Sequence, residues 1–227
     1  MNSDVYADYF KAVKGCSKAA RNDFAKVWAM LDFEDKDYSI SLLLDLLPGL
    51  VDKYGEAAAT AAAEMYEAVM VASTGRLVPA ELSETYGRKI VKSVYFASDL
   101  IRRGEYQRAR SVLDSAIDYY TKQPARNTVY RNAKRDGARY ARVPTGAETC
   151  EFCLMLASRG WVYHTEEAAG GKGNSYHTDC DCMPVVSFSK NPVVEGYDPD
   201  ALHQEYLKIA DKGKWNRAYE EKHGKAH

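Results

Sequence analysis

Residues 39–73 read SISLLLDLLPGLVDKYGEAAATAAAEMYEAVMVAS, and this stretch sets the fold class. Leucine and alanine, which lose least on entering a helix, dominate it. Its only breakers are Pro48-Gly49 and Gly55. A proline inside a helix removes a backbone donor and clashes with the preceding turn, so a kink or a break is predicted near Leu47. The alanine run beyond it presents small side chains that let another helix approach closely.

Working outward, residues 4–31 place Tyr6, Tyr9, Phe10, Val13, Ala20, Phe24, Val27, Trp28 and Leu31 at helical spacing. This predicts an amphipathic helix, broken near Gly15. The acidic DFEDKD connector follows, with a new helix start around Asp37 or Ser39. On the other side, Thr74 to Pro79 reads as a loop. Periodicity resumes at Tyr86, Ile90, Val94, Ala97 and Ile101 and stops at Gly104. A further helix from about Glu105 has Ala109, Val112, Leu113, Ala116, Ile117 and Tyr120 on its apolar face, and Pro124 is expected to close it. No strand pattern competes up to this point.

The composition changes past Pro124. Arg126, Arg131, Lys134, Arg135, Arg139 and Arg142 oppose one acid, Asp136, giving a net +5 over residues 126–142. A solvated helix face and connector is one reading of this stretch; contact with an acidic partner or DNA is the other. Residues 143–189 carry Gly160, Gly170, Gly171 and Gly173 and short β-branched or aromatic runs at Trp161-Val162-Tyr163 and Val185-Val186. They predict a small α+β module with little core of its own. Asp198-Pro199-Asp200 is a good helix start, and Leu202, Tyr206, Ile209 and Ala210 follow on one face, before a charged tail expected to fray. The predicted class is therefore α+β, a mostly helical N-terminal region followed by a small α+β module that the paired cysteines Cys150/Cys153 and Cys180/Cys182 mark as zinc-stabilised. Its parts are a helical domain at 1–125, a basic connector or helix at 126–142, a zinc-binding module at 143–190, and a C-terminal helix and tail at 191–227.

Among 227 residues, 46% are hydrophobic and 28% charged, an ordinary globular composition. A net charge of −1 argues against a dedicated nucleic-acid binder, which normally carries a basic excess. MNSDVYADYF does not read as a secretory leader. The greasiest stretch, Ile40 to Leu50, is interrupted by Asp45 and Pro48 and is far short of the roughly 20 residues that span a bilayer, so no membrane association is expected.

Four of the five cysteines fall between positions 150 and 182, whereas Cys16 stands alone in a helical pattern. Cys150-Glu-Phe-Cys153 is a C-x2-C pair, and His177-Thr-Asp-Cys180-Asp-Cys182 is an H-x2-C-x-C group. Two short ligand pairs flanking a loop are the usual form of a tetrahedral zinc site. A turn brings both thiolates of C-x2-C round one ion, and in C-x-C a strand period of two puts both sulfurs on one face. Five candidates compete for four places, with Cys150, Cys153, Cys180 and one of Cys182 or His177 favoured because thiolates dominate closed structural sites. Buried free thiols or a redox pair are the competing readings, and no thioredoxin-like βαβ pattern precedes Cys150 to support the second.

Catalytic patterns are weaker. His164-Thr165-Glu166 with C-x2-C has the zinc-deaminase elements in reversed order and without the proline. A Cys–His nucleophile from Cys150 or Cys153 with His164 or His177 has no transferable local signature, and metal binding would silence the thiol. The glycine-rich GGKGN at 170–174 lacks a phosphate-loop frame.

The stretches ARVPTGAETCEFCLMLASRGWVYHTEEAAGG and SYHTDCDCMPVV resemble the MuF-like minor head proteins of actinobacteriophage type. LVDKYGEAAATAAAEMYEAV looks like their central helix and GYDPDALHQEY like their C-terminal element. Many relatives of the Mu type have proline after the histidine and arginine between the cysteines, where this chain has Thr178 and Asp181. The resemblance implies a non-enzymatic virion component of the phage head, present in host cytoplasm during assembly. It would act at or near the portal in head assembly or DNA delivery. Its implied partners are the portal and/or major capsid protein and possibly phage DNA, with no small-molecule substrate. A capsid maturation protease or other Cys–His hydrolase is the alternative function, and a DNA-binding assembly factor working through Arg126 to Arg142 is the second.

Overall fold

In the computed structural model, which describes residues 4–146, 149, 151–163, 180–189 and 192–209, the chain begins with α1 (Asp4–Ala29). This helix buries Tyr6, Tyr9, Val13, Ala20 and Phe24 on one face. Gly15 does not break it. A short connector leads to α2 (Lys36–Thr74), where the Asp35 carboxylate accepts the Tyr38 N–H at 2.9 Å and so satisfies one orphan donor of the first turn. Gly75, at φ 67, ends α2 in the left-handed conformation that glycine adopts without a Cβ penalty.

The break expected near Leu47 does not occur, since α2 continues through Pro48. An interior proline costs about 3 kcal/mol. Around it Leu43, Leu47 and Val51 are wholly buried, and each such side chain gains roughly 1.5–3 kcal/mol on burial. Packing therefore outweighs the local defect. After α3 (Gly87–Arg102), α4 (Tyr106–Asp136) likewise runs on past Pro124, which had been expected to end it. That proline is buried against α2, where a Cβ built on Gly55 would lie 3.1 Å from Pro124 Cγ. The glycine thus opens the space that the proline ring fills, and two residues that read as breakers form a helix crossing.

A small sheet caps one end of the bundle. Strands β1 (Arg139–Val143) and β2 (Met183–Ser187) pair antiparallel, with Ala141 opposite Val185 and Arg142 opposite Pro184. Pro184 has no N–H to donate, which a two-stranded sheet tolerates because one edge of each strand is unpaired within it. Between the strands lies α5 (Glu151–Ala157), and α6 (Pro199–Ile209) follows them. The protein is thus mostly helical, with a two-stranded sheet among the described residues. None of its helices there is long and apolar enough to cross a membrane.

Two core clusters result. One joins Phe24, Leu43, Leu47, Val51, Ile90, Val94, Leu113 and Ile117 from the four long helices. The other runs from Tyr6, Tyr66, Ala125 and Val129 of those helices directly into Val185, Val186 and the cysteines 153, 180 and 182. The sheet is therefore covered by α2 and α4, while α5 packs on β1 and α6. Residues 126–142, which read as a basic connector or helix, divide between the last turns of α4 and most of β1.

Candidate metal centre

Cys153 sits on α5, while Cys180 and Cys182 lie in the irregular segment that enters β2. The C-x-C pair is therefore not in strand conformation, yet its two sulfurs still share a site. Three sulfurs, from Cys153, Cys180 and Cys182, lie within 4.8 Å of one another. The sulfurs of Cys153 and Cys180 are 3.3 Å apart, well beyond the roughly 2.05 Å of a disulfide. All three residues are at most 3% exposed. Cys150 and His177 lie outside the described residues, as does His164. Cys16 is not part of this group and packs half-buried on α1.

The seven-residue α5 is too short to be stable alone, and tyrosines hold its end. Tyr163 and Tyr197 donate hydroxyls to the carbonyls of Leu156 and Ala157, each at 2.6 Å. Burial pushes the Tyr163 phenol up to about 12, so it stays a donor at any ordinary pH. Between the two cysteines, Asp181 ties its own segment to the loop after β1. Its carboxylate accepts the Gly146 N–H at 2.6 Å and its carbonyl accepts the Thr145 hydroxyl at 2.6 Å. The acid between the two cysteines thus has a structural task.

Two guanidinium groups complete the surroundings. Arg142 Nη2 lies 3.7 Å from both Cys153 Sγ and Cys180 Sγ. Arg126 Nη2 donates to the Cys180 carbonyl at 2.7 Å and its Nη1 to Gln123 Oε1 at 3.3 Å. Hydrogen bonds from Cys153 and Cys182, aided by these two positive charges, hold the Cys180 thiol well below its ordinary range. For Cys182 a hydrogen bond with Cys153 acts downward. The bond to Cys180, burial and repulsion from the Cys180 thiolate together outweigh it and push Cys182 well up. One thiolate is thus favoured by the protein alone, whereas several at once call for a cation among the sulfurs.

The solvated strip read from residues 126–142 holds for Arg131, Lys134 and Arg135, which are exposed, and is corrected for its two ends. Arg126 and Arg142 are fully buried, 0% and 1% exposed. Arg131 pairs with Glu81 at 2.9 Å, Arg135 with Asp136 at 2.8 Å, and Arg139 donates to the Ser189 carbonyl at 2.7 Å. Lys134 is exposed on the last turn of α4. A signal for the inward turn was present for Arg126, which shares the i, i+3, i+7 face of Val129 and Ala133, both buried. Nothing comparable marks Arg142, because β1 is buried on both faces from Tyr140 onward and no alternation announces which side chains point in.

A helical bundle capped by a two-stranded sheet, with buried thiols gathered where the two meet, defines the class of protein: a mostly helical chain with a cysteine cluster able to hold a metal ion. A family model described as VG15 protein matches residues 1–209, and the chain belongs to that family of phage gene products. No curated protein and no solved structure matches the chain.

Proposed function

We propose that this phage protein is a non-enzymatic virion component of the MuF-like minor capsid type, acting at or near the portal in head assembly or DNA delivery, with a structural zinc ion at the cysteine cluster. The observation that carries the reading is the convergence of Cys153 with Cys180 and Cys182, 27 residues along the chain, into one closed and buried group. Tetrahedral zinc with Zn–S bonds near 2.3 Å sets its sulfurs about 3.8 Å apart. The Cys153–Cys180 sulfurs at 3.3 Å and a spread of no more than 4.8 Å among the three are close to that spacing, so the three residues suit three corners of such a site. Cys150 or His177 supplies the fourth. When bound, zinc cross-links the segments without taking part in a reaction. A complete protein ligand shell leaves no position for a catalytic water, and burial keeps substrates from the thiols.

Membership of a phage family supports the virion setting, and the helical bundle supplies rigid outer faces for docking on a large assembly. The test has two arms. Purified protein should contain one equivalent of zinc, with the sulfurs resistant to a thiol reagent until the ion is chelated. The portal protein of the same phage should retain it in a pull-down. A metal-free, fully ordered protein whose thiols label at once defeats the zinc reading. Failure to associate with the portal or the capsid defeats the assembly reading.

A further inference from the structure

A groove of about 480 Å³ runs between α1 and α4 on the outside of the bundle. Lys14, Lys18 and Arg21 line it from α1, and Arg110 and Lys122 from α4. The spacing of Lys14, Lys18 and Arg21 puts them on one helical face over about 10 Å, and Arg110 and Lys122 extend the row to about 18 Å along α4. Two carboxylates, Asp114 and Asp118, share the groove, leaving a local net charge of +3 in a chain whose total is −1.

The two acids are engaged within the wall. Asp114 receives Arg21 Nε at 2.8 Å. Asp118 pairs with Lys122 at 2.7 Å and accepts the Ser17 hydroxyl. They fix the directions of two cations, whereas Lys14, Lys18 and Arg110 make no ion pair among the described residues and Lys14 and Lys18 stand in solvent. Elsewhere on the molecule Arg102, Arg108, Arg131 and Arg135 each face an acid across an ion pair. The groove thus gathers three cations that make no ion pair among the described residues, from two facing helices, beside two whose directions are fixed.

We propose that this groove binds the phosphate backbone of duplex nucleic acid. The character of the lining selects that partner. Apart from Ala25 it offers no apolar residue, so a protein partner would lack the apolar centre on which stable interfaces are built. A phosphate backbone needs none, since its affinity comes from cations that displace condensed counterions. No aromatic side chain lines the groove either, which removes the stacking platform that single strands use. Contacts of this type position a duplex without reading its sequence. The inference does not rest on the zinc centre or on the portal association.

The test uses the full chain and a labelled DNA duplex of arbitrary sequence, followed by fluorescence anisotropy across a salt series. The wild type should bind at low salt and weaken as salt rises. The double variant Lys14→Gln/Lys18→Gln should bind at least about tenfold more weakly and lose about 2 from the slope of log affinity against log salt, one contact for each lysine. Lys14→Arg/Lys18→Arg should restore both values, and Arg131→Gln should leave them unchanged. Both lysines are exposed, so an unaltered melting curve certifies the fold of the variants. Absence of duplex binding by the wild type, or a slope unmoved by the glutamine pair, overturns the proposal. So does equal competition by polyglutamate, which would assign the groove to an acidic protein.

Discussion

At one end of the bundle Phe24, Leu43, Leu47, Ile90 and Leu113 pack against one another from all four long helices. At the other, Tyr6, Tyr66 and Val129 share a core with Cys153, Cys180 and Cys182, beside the guanidinium groups of Arg126 and Arg142. The buried hydroxyls of the first end, Ser39 and Ser98, are satisfied by nearby carbonyls of Asp32 and Tyr95. Those of the second reach across the fold, as when Tyr6 donates to the Val186 carbonyl at 2.8 Å and Tyr66 to Asp136 at 2.8 Å. The first end depends chiefly on apolar area, which is non-directional and tolerant. The second depends on polar groups that are costly to bury unless each finds its partner.

The comparison can be broken most directly at the cysteine cluster, by removing the zinc ion proposed there. Chelation, or Cys180→Ser, should withdraw a contribution of up to about 10 kcal/mol, as for structural zinc in small folds. Hydrogen exchange should show protection lost at β1, α5 and β2 while the amides around Leu43 and Leu113 keep theirs. Uniform loss of protection would show that the two ends are one cooperative unit. The converse substitution is Leu113→Ala, a wholly buried side chain at the apolar end. It should cost about 2–5 kcal/mol in denaturant unfolding and leave the metal content unchanged.

A smaller effect sharpens the contrast through pH. Arg135, and then Tyr66, hold the Asp136 carboxyl below its ordinary range by hydrogen bonding to the ionised form. A carboxyl lowered on folding stabilises the protein above its unfolded value, about 3.9, and that contribution disappears as pH falls through the folded value. Tyr66→Phe should therefore cost about 1–3 kcal/mol near neutrality. The gap between variant and wild type should close as the solution is acidified below pH ~4. A gap that is constant from neutral to acid pH would place the cost in packing instead. Smallest of all, Asp35→Ala removes the N-cap of α2 at the apolar end and should lower the melting stability by about 1 kcal/mol with no change in metal binding.

The long helices were legible because their signal is periodic and local. Tyr6, Tyr9, Val13, Ala20 and Phe24 announce the buried face of α1, and Ile90, Val94, Ala97 and Ile101 that of α3. Pro48, Pro124 and Gly15 misled because propensity prices a residue in an isolated helix, whereas buried neighbours here exceed that price. In the candidate site, the pairing of the two cysteine groups was readable from spacing, and Cys153, Cys180 and Cys182 do come together. Their irregular backbone at Cys180–Cys182 was not, nor was the inward turn of Arg142, because neither has a local pattern to betray it.

By itself the sequence determined the apolar faces of α1, α3 and α4 and which side chains carry metal-binding chemistry, since each of these follows from neighbours a few positions away. Only the tertiary structure decided that Gly55 would receive Pro124, that Arg126 and Arg142 would leave solvent for the sulfurs, and that Lys14, Lys18 and Arg110 would face a common groove. The physical reason is that burial and electrostatic pairing are properties of surfaces brought together from distant parts of the chain, and no local window contains both partners.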